Sequence, residues 1–370
     1  MSKFIRISLI FKLALMSITI LLLMSHIRYI SADTRGYLLD NHKTSLPNIK
    51  VFDYTTNSQR EHYVRFGVYQ MSFLNSSLDS RSLWQIDQPE KRIFEIKKCV
   101  QEAINNNINI LIFPELTLNL PEEIRNECVN YLKDISSKHE MIIVGGSFYD
   151  ENRFQRSVMI GPDWIHYGYK FKPSKFEVSP LFGEGMVDGE ELTVLKTKYG
   201  NYCVIICADL ISDQVQYCIR YLSTRKIIDG IIVLSYNPSS LEFLIEANCI
   251  VRRHPIFLII SNICIVDNKN MDYGHTAILS HIKDGLDNLP NSSVKLLDFL
   301  PGQFIKIDSE GRKIGRELPY SNLIYDVGPQ QEGMLIFEIN LDLINIPYVT
   351  NAPDQGYKTI GNIEFKEYKR

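Results

Sequence analysis

Three polar residues stand where apolar runs end: Glu115 after Ile110-Leu111-Ile112-Phe113-Pro114, Lys170 after Ile165-His166-Tyr167-Gly168-Tyr169, and Cys207 after Cys203-Val204-Ile205-Ile206. In a sheet covered by helices, ligand crevices open at the carboxyl ends of strands, so a carboxyl, an ammonium and a thiol placed there are candidates for one site. A thiol with a reference pKa of about 8.5 is only partly ionised near neutrality, so nucleophilic work by Cys207 needs a base and an electropositive neighbour. Spacing alone does not bring the three together. Cys203, four residues before Cys207 in the same apolar run, reads as core.

The elements that must position these residues follow from hydrophobic period. From Val64 onward, short β-rich runs alternate with amphipathic stretches, the pattern of an α/β domain. Residues 65–69 read as a first strand. Ile93, Ile96, Val100, Ala103 and Ile104 recur at helical spacing, followed by a buried strand at 108–113. Pro121-Glu122-Glu123 supplies the proline and acids that a helix start favours, with Ile124, Cys128, Leu132 and Ile135 on one face. A strand at 141–144 comes next, and Gly161-Pro162-Asp163 between two β runs predicts a hairpin. Beyond the strand at 202–206, Ser212 is placed to cap a helix carrying Val215, Ile219 and Leu222. A strand at 231–234, a helix over 240–253 closed by Pro255, and β runs at 256–260, 275–279, 303–307 and 334–339 complete the reading, with an irregular excursion at 284–301.

Phe113-Pro114-Glu115, Tyr169-Lys170-Phe171-Lys172-Pro173-Ser174-Lys175-Phe176-Glu177 and Ile205-Ile206-Cys207-Ala208-Asp209 occur in this order. They are followed by 246–253 with Ser261-Asn262, and by 302–311 with 333–340. In this order the segments resemble those of the carbon–nitrogen hydrolases, the nitrilase superfamily, in its amidase-like branch, over about 65–342. The resemblance implies a four-layer α-β-β-α sandwich. It also implies Cys207 as nucleophile, Glu115 as general base, Lys170 as stabiliser of the tetrahedral intermediate, Glu177 as a supporting carboxylate and the Ala208 backbone N–H as an oxyanion donor. Asp209 reads as structural. The substrate would be a small amide, carbamoyl or ureido compound, because Ala208-Asp209 replaces the Trp-Glu pair usual after the nucleophile of true nitrilases. No cofactor is implied. A homodimer would form through the helices at 212–228 and 240–253. An N-acyltransferase using the same three residues, and a non-catalytic binding or signalling module on the same fold, are the alternatives.

Composition sets the outer bounds. The chain has 370 residues, 45% hydrophobic and 22% charged, which excludes a largely disordered polypeptide. Forty Lys and Arg against 43 Asp and Glu leave no basic field for a nucleic acid backbone. Seven scattered cysteines and eight dispersed histidines match neither a disulfide framework nor a metal-ligand spacing, so no metal is expected. Residues 7–24, ISLIFKLALMSITILLLM, carry one charge, Lys12. Such a run predicts a membrane anchor or an export signal within 1–30, with a hydrophobic helix docked on a partner or on the enzyme body, in a cytoplasmic protein, as the alternative. Residues 31–62 read as a linker before one domain at 63–370.

Overall fold

In strand β2 (Tyr63–Ser72), Val64, Phe66 and Val68 face one way and Tyr69 and Met71 the other, and both sets are buried. That double burial, which a period of two makes visible, requires a layer on each side of the sheet. The computed structural model of the chain describes residues 46–55, 59–78, 84–174, 177, 186–237, 240–265, 273–280, 306–307, 313–314, 323–328, 331–344 and 360–368. A compact unit spans Pro47–Arg370.

The chain forms β1 (Asn48–Asp53) and β2, then a small separate hairpin, β3 (Ser76–Leu78) and β4 (Trp84–Ile86). Helix α1 (Pro89–Asn105), β5 (Ile110–Ile112), helix α2 (Glu122–His139) and β6 (Ile142–Tyr149) follow, with β2, β5 and β6 parallel neighbours. The expected hairpin is present as β7 (Gln155–Ile160) and β8 (Ile165–Tyr169), antiparallel and continuing from β6. The other half of the chain adds β9 (Glu191–Thr197), β10 (Gly200–Ile206), helix α3 (Asp213–Thr224), β11 (Gly230–Ser235), helix α4 (Ser240–Arg253) and β12 (Phe257–Cys264). Strands β10, β11 and β12 are parallel, β9 is antiparallel to β10, and β13 (Ala277–Ser280) is antiparallel to β12. A short pair, β14 (Lys306–Ile307) with β15 (Lys313–Ile314), stands apart. Strand β16 (Leu323–Asp326) pairs with β13, while β17 (Gly333–Asn340) pairs with β2 and with β18 (Ile360–Glu367).

The result is one strongly folded fourteen-stranded array whose halves are joined strand to strand, among the described residues, where β2 meets β12, at Met71↔Ile263 and Ser72↔Cys264. The halves pack face to face: Phe66 of the first lies 5.8 Å from Phe257 and 6.0 Å from Tyr202 of the second, ring centre to ring centre. On the outer face of the first half, Leu111, Phe113 and Ile143 pack with Ile96, Val100 and Leu132 of α1 and α2. With Tyr202 facing inward, Cys203 and Ile205 face outward, on the side where α3 brings Cys218 near Cys203. The layers are therefore helices, sheet, sheet, helices, the α-β-β-α order expected.

Three expectations need correction. Within 31–62, read as a linker, β1 adds a parallel edge strand on β9; its alternation is short and only Ile49 and Phe52 reach the core, so its pattern is weak. Ser212 occupies the position before α3, but its hydroxyl goes to the Gln214 side-chain oxygen at 3.0 Å instead of capping the helix. Of the closing strand placed at 302–311, only Lys306–Ile307 is described, and it pairs outside the main array; the place beside β17 belongs to β18. Residues 7–24 and 284–301 lie outside the described residues. Among the described residues, no helix is long and apolar enough to cross a membrane.

Candidate active site

Strands β5, β8 and β10 all point the same way. Strand β5 is parallel to β2; β8 is reversed twice from β6 through β7; β10 is parallel to β12, which is parallel to β2. Their carboxyl ends thus open on one edge of the sandwich, where the two halves are pinned together. Glu115, Lys170 and Cys207 all lie there, lining one cavity of about 310 Å³ together with Glu177.

Each side chain is held from several directions. Gly146, at φ 87°, sits at an irregularity in the β6–β7 pairing, and a Cβ there would lie 2.5 Å from the Pro114 carbonyl oxygen. Only a glycine lets the Pro114-Glu115 loop come this close. The next residue, Ser147, accepts the Leu116 N–H at 2.9 Å. Gln155, fully buried, donates to Glu115 Oε1 at 2.8 Å and to Ser147 Oγ at 3.0 Å. Lys170 Nζ donates to Glu115 Oε1 at 2.9 Å and to both oxygens of Glu177, at 2.9 and 2.8 Å. Glu177 also accepts the Tyr149 hydroxyl at 2.9 Å and the Ser174 N–H at 2.6 Å.

Cys207 begins a short 3-10 turn, Cys207–Ile211, directly after β10, and has φ 48°. A non-glycine residue in this left-handed region costs about 1–3 kcal/mol and persists only where its surroundings hold it. Asp209 does the holding. Its carboxylate accepts the N–H groups of Ile206 (3.2 Å), Phe171 (3.2 Å) and Lys172 (2.8 Å), tying the thiol segment to the lysine segment. Burial pushes this carboxyl up to about 7. The structural reading of Asp209 agrees with this bridge. Ala208 follows inside the turn, whose first N–H groups have no acceptor within it.

The electrostatics separate the two glutamates. Burial, aided by the Glu177 charge, holds the Glu115 carboxyl above the usual carboxylate range against the pull of Lys170. Burial acts on Glu177 the same way, but the Lys170 ammonium and the Ser174 N–H outweigh it, and its carboxyl lies below the usual range. Despite burial, the two carboxylates keep Lys170 protonated well beyond the ordinary lysine range. The two carboxyls are thus pushed in opposite directions, Glu115 toward its protonated form and Glu177 toward its ionised form. Burial and the Glu115 charge push the Cys207 thiol up, while Lys170 and the Tyr236 backbone N–H favour its thiolate. Glu115 Oε2 is buried and has no hydrogen-bond partner among the described residues.

The residues singled out in the sequence converge. Sequence reasoning missed Gln155, Tyr149, Ser147 and Tyr236. Ser147 and Tyr149 alternate along the end of β6 beside the Glu115 loop, a signal that was available; Gln155 and Tyr236 carry none. Among the described residues, no cluster of His, Cys, Asp and Glu is arranged to hold a metal.

No family model matches the sequence, and no curated protein matches it. Solved structures do match. Nit3 of Saccharomyces cerevisiae, a member of branch 10 of the nitrilase superfamily, aligns at TM-score 0.52 and 15% identity, over 79% of this chain and 98% of that one. Glutamine-dependent NAD+ synthetase from Acinetobacter baumannii aligns at 0.51 and 12% identity, over 80% of this chain and 49% of the other. An amidase from Nesterenkonia sp. aligns at 0.49 and 14% identity, over 78% and 94%. At such identities the likeness is one of fold, and it agrees with the layer order: this chain has the carbon–nitrogen hydrolase fold of the nitrilase superfamily.

Proposed function

We propose that the chain hydrolyses a non-peptide carbon–nitrogen bond of a small amide or carbamoyl compound through a thioester on Cys207. The observation that carries this reading is the convergence of a thiol, a carboxyl with a raised pKa and a protonated lysine in one cavity. Glu115 takes the thiol proton as sulfur attacks the carbonyl carbon. The negative charge that grows on the carbonyl oxygen is met by Lys170 and the Ala208 N–H. Glu115 returns its proton to the leaving nitrogen, the carbon–nitrogen bond breaks, and an amine or ammonia departs. Water then attacks the thioester, giving a proton to Glu115, which passes it to the departing sulfur. Glu177 stays ionised and fixes the ammonium throughout.

The test is ammonia release from a panel of amides and carbamoyl compounds, run alongside iodoacetamide labelling read by peptide mass. Turnover is expected to disappear in step with a single label on Cys207. Turnover that survives full labelling of Cys207, or a label spread evenly over the seven cysteines, overturns the reading.

We also propose that a second copy of the chain covers the outer helices. Tyr217, Tyr221 and Ile245, on α3 and α4 within the helices assigned to a dimer contact, are exposed apolar or aromatic side chains, and exposed Ile211 lies on the 3-10 turn just before them. Sedimentation of the full chain is expected to give a dimer that Tyr217→Glu with Ile245→Glu converts to a monomer. A wild-type monomer at micromolar concentration refutes it.

A further inference from the structure

The cavity has two unlike parts. One is the charged cluster already described. The other is apolar, built from Phe73, Trp84, Ile86, Tyr236, Ile263 and Tyr273. Phe73, Tyr236 and Tyr273 form a row of rings, with centroids 5.9 Å apart in the first pair and 5.7 Å in the second. The row begins at the nucleophile, because the Tyr236 backbone N–H reaches the Cys207 sulfur. The small β3–β4 hairpin contributes Trp84 and Ile86.

The charges argue equally about what this space takes. The cations among the described lining residues are Lys170 and Arg92. Lys170 lies between Glu115 and Glu177. Arg92 is buried, with one terminal nitrogen 3.1 Å from Glu95 Oε2 and the other donating to the Ser72 carbonyl at 3.0 Å. Two cations therefore face three carboxylates. A substrate carboxylate entering the cavity would lose its hydration and find no uncompensated positive charge among the described lining residues. A flat apolar group would find aromatic faces on which to pack.

We infer that the acyl part of the substrate is an uncharged aryl or arylalkyl group seated on Phe73, Trp84, Tyr236 and Tyr273. The inference rests on the hydrolase reading for the reaction, but not for the binding. The described lining disfavours amides bearing a second, ionised carboxyl group.

Two readouts test it. In steady-state ammonia release, phenylacetamide is expected to exceed both acetamide and succinamic acid in kcat/KM. Trp84→Ala should lower kcat/KM for phenylacetamide by about tenfold or more while changing that for acetamide by less than about threefold, with Trp84→Phe between wild type and Ala. A preference for succinamic acid, or an equal loss on both neutral amides, overturns the inference while leaving Cys207 chemistry intact. The second readout needs no turnover. The chain has two tryptophans, so Trp164→Phe leaves Trp84 as the sole indole. In Trp164→Phe with Cys207→Ala, phenylacetamide should change the Trp84 fluorescence saturably and succinamic acid should not. Binding of this kind without turnover of any amide by the wild type would refute the hydrolase reading and keep the subsite; no fluorescence response to phenylacetamide would refute the subsite.

Discussion

Lys170→Met is expected to lower the unfolding free energy by about 3–5 kcal/mol at pH 7, and to reduce amide turnover at least about a hundred- to a thousandfold. Lys170 is 1% exposed and lies within 2.9 Å of both Glu115 and Glu177. Methionine keeps the length and apolar stem of lysine but removes the charge that the two carboxylates share. The stability effect has a definite pH dependence. In the wild type, the Glu177 carboxyl in the fold lies below its unfolded value, so its contribution is full above the ordinary carboxylate range and is lost as pH falls through the folded value. Without the ammonium, burial raises both carboxyls above their unfolded value of about 4.3. The variant then suffers least below about pH 4 and more as pH rises through the raised values. Urea unfolding at pH 4 and pH 7 should therefore show a gap between the two proteins that widens with pH. A gap of the same size at both values would mean that the lysine acts through packing alone.

That network also shows what the sequence made legible. Strands such as Ile110–Ile112 and Gly230–Ser235 are buried on both faces and appear as unbroken apolar runs, so polar residues where the runs stop stand out. Glu115 and Cys207 stand out for that reason, while Lys170 follows the half-exposed strand Ile165–Tyr169 and is marked by its order among the segments that carry the resemblance. Edge strands were harder to read. Strand β18 sets half-buried Ile363 and Phe365 between exposed Asn362 and Glu364, and β9 pairs a polar beginning with a partner, β1, that has little apolar character of its own. Register with distant strands stabilises these elements, and a local window does not contain it. The same holds within the site. Gln155 is an unremarkable amide in sequence, yet it is fully buried and joins Glu115 to Ser147 because β6 and β7 are neighbours.

Glu115→Gln is expected to divide two reactions of the same sulfur. Amide hydrolysis should fall by roughly a hundred- to ten-thousandfold, the range for loss of a general base, while alkylation of Cys207 by iodoacetamide at pH 7 should be at least as fast as in the wild type. The opposite signs follow from the two effects of Glu115 on the thiol. In the proposed mechanism its carboxyl accepts and returns protons, which hydrolysis needs at every step and alkylation of a thiolate does not. Its negative charge, next after burial, pushes the Cys207 thiol up, and glutamine removes that charge while Lys170 remains. Glutamine also retains an oxygen to accept from Gln155 and Lys170, so the network has a route to persist. The wild-type rate should fall on the acid side as the raised Glu115 carboxyl becomes protonated, and the residual rate of the variant should lack that limb. Parallel loss of hydrolysis and alkylation would assign Glu115 a purely structural place beside Lys170, and the base would have to be sought elsewhere in the cavity.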